Sequence, residues 1–128
     1  MIYQHNPSLS DDLLNELFAA SWPGHRVRPF QRVLSQSLGH VGALSDKRLV
    51  GFVNVAWDGG HHAFILDTTV HPDFRRKGIG TRLVREAVEI ASGAGAEWLH
   101  VDFEPALVSF YREACGFVPT EAGLIKLR

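Results

Sequence analysis

Arg75-Arg76-Lys77-Gly78-Ile79-Gly80 is the stretch on which the reading of this chain turns. It lies between an apolar, strand-like run, Ala63 to Val70, and an amphipathic run with helical spacing, Thr81 to Ser92. A strand, a short basic turn bearing glycines and then a helix form an arrangement suited to holding phosphate. The first turn of a helix leaves backbone N–H groups without partners, and the helix dipole adds partial positive charge there. Glycines at alternate positions remove side chains that would keep a pyrophosphate off those N–H groups. Two arginines and a lysine set full charges beside them. The turn alone does not name the ligand. Gly78-Ile79-Gly80 lacks the third glycine of the dinucleotide fingerprint, and no Gly-Lys-Ser/Thr marks a triphosphate loop.

Outward from the turn, the pattern predicts alternating elements. Ile2 to His5 reads as a short strand, and Ser10 caps a helix that runs through Ala20 with acids in its first turn. Trp22-Pro23-Gly24 breaks it, and a short helix follows from Pro29 to Ser37. His40 to Leu44 and Leu49 to Trp57 read as strands joined in a hairpin by Ser45 to Arg48. Ile79, Leu83, Val84, Ala87, Ile90 and Ala91 share one helical stripe beyond the basic turn. Trp98 to Phe103 is the next strand, Ala106 to Ala114 a helix stopped at Cys115-Gly116. Phe117-Val118 and Leu124 to Leu127 are read as two short closing strands. The strand Ala63–Val70, its helix and the strand Trp98–Phe103 form a β-α-β unit, so those strands should be parallel neighbours.

With 128 residues, the chain is expected to be a single domain, 1–128. Its 45% hydrophobic and 21% charged residues are ordinary for a globular protein. A net charge of −1 speaks against a nucleic-acid partner, since phosphate-backbone binders carry a basic excess. A basic cluster in a near-neutral chain points instead to a small anionic ligand. Cys115 is the only cysteine, which is compatible with a reducing compartment. No apolar run approaches bilayer length, so no membrane partner is expected and the cytoplasm is the expected location. His61-His62 does not suggest a metal: adjacent strand residues point to opposite faces, with no further ligand at suitable spacing.

The frame Val70-His71-Pro72-Asp73-Phe74-Arg75-Arg76-Lys77-Gly78-Ile79-Gly80 is followed downstream by Phe110-Tyr111-Arg112-Glu113-Ala114-Cys115-Gly116-Phe117. Together the two segments resemble the GNAT superfamily of acyl-CoA-dependent N-acyltransferases. The paired match spans Ala63 to Pro119. The resemblance implies an α/β (α+β) fold with a mixed central sheet, antiparallel N-terminal strands, a splayed parallel pair at the cofactor site and about four helices. It implies acetyl transfer from acetyl-CoA to a primary amine, on a small molecule or a peptide, with no metal. A homodimer is a further expectation, because the closing strands could pair between subunits.

Residue by residue, the resemblance assigns the diphosphate to the turn: Arg75, Arg76, Lys77, Gly78, Ile79, Gly80 and Thr81. It sets the pantetheine arm against the backbone near Thr69, Val70 and Pro72, with the Val70 N–H as oxyanion donor. Tyr111 would be the acid that protonates the departing thiolate; a helix tyrosine packed beside Phe110 and Phe117 is the rival reading. Ser109 is a minor cofactor contact or a solvated serine. For the base, the order is Asp67, then Glu104, then His100 or Asp102, with a bound water also open. Alternation puts Asp67 and Thr69 on one face. Glu104 stands where many relatives carry an asparagine that contacts the pantetheine arm. A domain that binds acyl-CoA without catalysis, and one that holds a different phosphate-bearing ligand, are the alternatives.

Overall fold

Ser10 opens the first helix in the way its sequence predicts: the Leu13 N–H donates to Ser10 Oγ at 3.1 Å. The computed structural model describes every residue from Met1 to Arg128. Its strands are β1 (Ile2–His5), β2 (Gly39–Ser45), β3 (Arg48–Trp57), β4 (His62–Val70) and β5 (Trp98–His100). The helices are α1 (Asp11–Ser21), α2 (Gln31–Gln36) and α3 (Ile79–Gly93). Short 3-10 turns cover Pro72–Phe74 and Pro105–Leu107, and a π-helical segment runs from Ser109 to Ala114.

The five strands lie in sequence order. The first four are antiparallel to one another, while β4 and β5 run parallel, as the β-α-β unit requires. Asp46 and Lys47, both at positive φ, make the tight turn between β2 and β3. Two apolar clusters sandwich the sheet. Leu9, Leu14, Leu17, Phe18 and Phe30 pack with Leu49 and Phe52 on the α1 side. On the other side, Ile79, Leu83, Val84, Ala87 and Ala91 of α3 meet Val41, Val50, Val53, Val55, Ala63 and Ile65. Leu83 is fully buried, and Leu83→Ala should cost about 2–5 kcal/mol of stability, measured by denaturant melting. No helix is long and apolar enough to cross a membrane.

Three expectations are corrected at the C-terminal side. The strand over Trp98–Phe103 is ladder-paired only through His100, because β5 diverges from β4 beyond Phe64. The helix over Ala106–Ala114 becomes a 3-10 turn and a π-helical segment. Phe117-Val118 and Leu124–Leu127 form no strand at all. A strand exists only beside a neighbour that takes its backbone hydrogen bonds. Those residues pair with no strand of the sheet.

Candidate active site

The end of β4 and the start of α3 are joined by residues His71 to Gly78. Gly78 caps α3 at φ +78°, a left-handed conformation that glycine adopts without strain. A Cβ at Gly78 would meet nothing within 4 Å, so the helix opens onto free space. The first paired donor is the Arg82 N–H, bonded to the Gly78 carbonyl at 3.1 Å. The amides of Gly78, Ile79, Gly80 and Thr81 precede it and have no helical acceptor. Gly80 has a different surrounding: a Cβ there would lie 3.2 Å from the Phe110 ring. Its bareness lets the segment carrying Tyr111 pack on the first turn of α3.

The three basic residues separate. The Arg75 guanidinium turns back, its Nε donating to the Val70 carbonyl at 3.3 Å and its Nη2 to the Ser21 carbonyl at 3.4 Å. Lys77 Nζ stands 5.2 Å from the centre of the Phe74 ring. Arg76, at φ +63° and exposed, has no carboxylate partner.

Pairing between β4 and β5 stops at Phe64 and His100, while β4 runs on to Val70. From Ile65 onward its outer edge has no strand beside it. The His71 N–H donates to the Val50 carbonyl on β3 at 2.8 Å. Since neighbouring residues in a strand direct their N–H groups to opposite edges, the Val70 N–H faces the open side. Tyr111 lies at this opening and is only 6% exposed. Its ring stacks on Phe103 at 4.7 Å and meets Phe110 and Phe117 edge-on at 4.8 and 6.0 Å. Burial raises its pKa above 10.0, opposed in part by the neighbouring Thr68 hydroxyl. That hydroxyl approaches the phenol without completing a hydrogen bond of good geometry, and it has no other partner.

The shift has a consequence for stability. Above pH 10 the unfolded chain gives up the phenolic proton while the folded chain keeps it, so stability falls as pH rises. Alkaline unfolding should therefore steepen above pH 10, and Tyr111→Phe should remove that component of a melting series against pH.

Asp67 and Thr69 share a face, as alternation between them requires, and a bulge decides which face it is. Phe52 pairs with Thr69 and Asn54 with Leu66, so Asp67 and Thr68 together oppose Val53 in a bulge. Asp67 takes φ +58°. Its carboxylate lies 3.8 Å from Arg28 Nη2, and the Trp22 Nε1–H donates to Thr69 Oγ1 at 2.9 Å. Thr69 in turn donates to the Asp67 carbonyl at 2.9 Å, which braces the bulge. Without the bulge, strict alternation would send both residues to the α3 side with Ile65.

Sequence reasoning missed what holds this side in place. Asn15 Oδ1 accepts the Arg28 N–H at 3.0 Å, and its Nδ2 donates to the Arg28 carbonyl at 2.8 Å. His25 Nε2 contacts the same Asn15 oxygen at 2.9 Å, which requires that nitrogen to carry the proton. Asp11 Oδ1 accepts the Phe30 N–H at 2.9 Å, the principal cause of its lowered pKa. The Arg28 guanidinium then sits 4.3 Å over the Phe30 ring. A polar residue within an amphipathic helix, such as Asn15, gives no periodic signal of such a role.

The remaining base candidates are not gathered with Asp67. His100 Nε2 lies 2.8 Å from His62 Nδ1, and its ring stacks on Phe64 at 4.7 Å. Glu104, Asp102 and Ser109 are exposed, and the Glu104 carboxylate makes no ion pair or hydrogen bond. The splay is an open edge of the sheet, and two small hollows lie elsewhere. One, of about 170 Å³, is between α1 and β3, and the other, of about 220 Å³, is between α3 and β5. His5, Glu86 and Glu89 cluster where β1 meets α3, at the far edge of the sheet. Glu86 is already bonded there to His5 at 2.9 Å and Arg82 at 3.1 Å, chiefly the former lowering its pKa.

A mixed sheet whose parallel pair parts beside an open helix N-terminus is the architecture of the acyl-CoA-dependent acyltransferase class. Residues 9–117 match the acetyltransferase (GNAT) family, and the chain belongs to it. A mycothiol acetyltransferase of Mycolicibacterium vanbaalenii is 38% identical over 71 residues, covering 56% of this chain and 24% of that protein. The chain spans between about a quarter and a half of the length of the curated relatives it matches. Among solved structures, a GNAT family acetyltransferase of Streptococcus pneumoniae superposes with TM-score 0.79 at 25% identity, covering 99% of this chain and 98% of the other. An aminoglycoside N-acetyltransferase in complex with CoA superposes with TM-score 0.74 at 18% identity, over 99% and 95% of the two chains. At that identity the likeness is one of fold.

Proposed function

We propose that this chain transfers an acetyl group from acetyl-CoA to a primary amine by direct attack. The observation that carries the reading is the set of unpaired amides at Gly78, Ile79, Gly80 and Thr81, opening onto free space beside the splayed strands. Such a helix end holds a diphosphate through N–H donors and the helix dipole. Arg76 and Lys77 add charge, while Arg75 braces the strand end against α1. Acetyl-CoA, whose CoA portion is bound in one structure of similar fold, supplies an activated thioester.

The open edge of β4 from Thr69 to Val70 would hold the pantetheine arm by strand-like pairing. The Val70 N–H would stabilise developing negative charge on the thioester oxygen. Tyr111, held protonated by burial, donates its proton to the leaving sulfur. Asp67 is the first choice to accept the amine's proton, since the bulge turns its carboxylate toward the α1 side and leaves it partly exposed. Arg28, held by Asn15 and Phe30, positions that carboxylate. Glu104, then His100 or Asp102, stand as the later choices.

The test is a panel of amines incubated with acetyl-CoA, read by release of free thiol. Small amines, amino acids, aminoglycosides, polyamines and peptide N-termini belong in it. Release with at least one acceptor is expected, suppressed by Tyr111→Phe. One observation favours a second reading, that the domain binds acyl-CoA without catalysis: the phenol is enclosed by three aromatic rings. CoA binding by calorimetry with no thiol release from any acceptor would select that reading.

A further inference from the structure

The Arg28 guanidinium is held in place without being hydrogen-bonded. Asn15 grips its backbone from both sides, accepting the Arg28 N–H at 3.0 Å and donating to the Arg28 carbonyl at 2.8 Å. The guanidinium carbon stands 4.3 Å from the centre of the Phe30 ring and 5.6 Å from that of Phe18, and both rings are buried. Stacking of this kind covers a face of the planar group and leaves its N–H edge free. It pairs with a single carboxylate, that of Asp67, at 3.8 Å, too far for a hydrogen bond. Both side chains are 41% exposed, and an exposed ion pair of that length contributes little to stability. A planar fork of donors, the geometry that a carboxylate accepts bidentately, is therefore fixed at the surface without an acceptor.

That fork stands beside the point where an acceptor amine arrives. Asp67 lies in the bulge of β4, three residues before Val70. Arg75, the other cation on this side, is turned onto the Val70 and Ser21 carbonyls, so Arg28 is the one with donors to spare. An ammonium that pairs with Asp67 leaves Arg28 without a counter-charge. An acceptor with a carboxylate of its own restores the balance, its two charges opposed to the two of the site. An α-amino acid carries both on one carbon, which suits the short separation of Asp67 and Arg28. Beyond Asp67, Leu66 and Phe64 lie on the face opposite buried Ile65 and Ala63, and they are 42% and 36% exposed. Exposed apolar surface next to a few placed polar groups suits an apolar side chain.

We propose that the acceptor is an α-amino acid with an apolar side chain. Arg28 takes its carboxylate, Asp67 its amine, and Leu66 and Phe64 its side chain. The inference rests on the acetyl-transfer reading for the reaction, though not for the binding. The neutral amine nitrogen forms the C–N bond at the thioester carbon, and the C–S bond breaks. Asp67 takes a proton from the nitrogen while Tyr111 gives one to the sulfur, so the products are the N-acetyl amino acid and free CoA.

The experiment compares leucine, leucinamide and isopentylamine, which share a side chain and differ at the carboxyl group. Thiol release from acetyl-CoA should show kcat/KM at least about 10-fold higher for leucine than for either analogue, the worth of a charge-assisted contact. Chemistry alone favours the amide, whose less basic amine is unprotonated more often at neutral pH. Arg28→Gln should bring the leucine-to-leucinamide ratio close to one, chiefly by raising the KM for leucine. A role confined to holding Asp67 would slow all three acceptors equally and leave the ratio unchanged. CoA affinity by calorimetry should stay near that of the wild type, which checks that the variant is folded. Binding is read apart from catalysis by NMR on the CoA-saturated protein. Leucine should shift the Arg28 Nε–H and Trp22 Nε1–H signals, and leucinamide should do so only at concentrations at least about 10-fold higher. Both shifts without thiol release would end the acetyl-transfer reading and leave the amino-acid site standing. Thiol release at least as fast from leucinamide or isopentylamine would overturn the site and leave acetyl transfer standing. A leucine preference untouched by Arg28→Gln, or no shift of either signal, overturns the proposal as well.

Discussion

Tyr111→Phe should lower turnover by about 10²–10⁴-fold, the contribution of a positioned proton donor, while CoA affinity stays near normal. The substitution removes one oxygen and keeps the ring. Stacking on Phe103 at 4.7 Å and the edge contacts with Phe110 and Phe117 survive, so the fold at neutral pH should be untouched. What the variant should lose is the proton proposed for the leaving sulfur. Burial holds that proton on the phenol well past neutrality. The wild-type rate should therefore show no fall from phenol ionisation until pH passes 10. Steady-state rates across pH, with CoA titrated separately by calorimetry, read both predictions. Unchanged turnover in the variant would leave Tyr111 a packing residue.

Gly80→Glu should have the larger effect on the cosubstrate, raising the dissociation constant of CoA by at least about 100-fold, equivalent to about 2.7 kcal/mol. Two causes act together. Any Cβ at this position would lie 3.2 Å from the Phe110 ring, so the Tyr111 segment must shift away from α3. A carboxylate in the first turn would also occupy the amide end of the helix with negative charge. Arg76→Glu separates the causes, because its exposed side chain supports no packing. It should weaken CoA about 10-fold, the worth of one charge-assisted contact, and make the affinity less sensitive to salt. Intact CoA affinity in both variants would contradict the proposed cradle.

Much of the fold was legible because it is written in local pattern. The stripe Ile79, Leu83, Val84, Ala87 became the buried face of α3, and Ser10 capped α1 through its own side chain. The hairpin at Ser45–Arg48 and the parallel pairing of β4 with β5 followed from turn residues and connection length. What escaped depends on contacts between distant residues. The bulge at Asp67 and Thr68 bears no glycine to announce it, and it is secured by Trp22 from the end of α1. Asn15 grips Arg28 across the turn between helices, which neither periodicity nor motif records. The segment Ser109–Ala114 has helical composition, yet the Cys115 N–H donates to the Phe110 carbonyl at 3.0 Å, five residues back. That wider turn carries Tyr111 inward among three rings. Leu124 to Leu127 has the pattern of a strand, and pattern alone cannot provide the neighbour that a strand needs.

The account rests on backbone donors, so the most direct measurement follows those donors. In an amide-resolved NMR titration with CoA, the resonances of Gly78, Ile79, Gly80 and Thr81 should move farthest, downfield as they gain an anionic acceptor, together with a shift of the diphosphate phosphorus signals. Perturbation confined to other residues, or no change in these four amides at saturating CoA, would contradict the account.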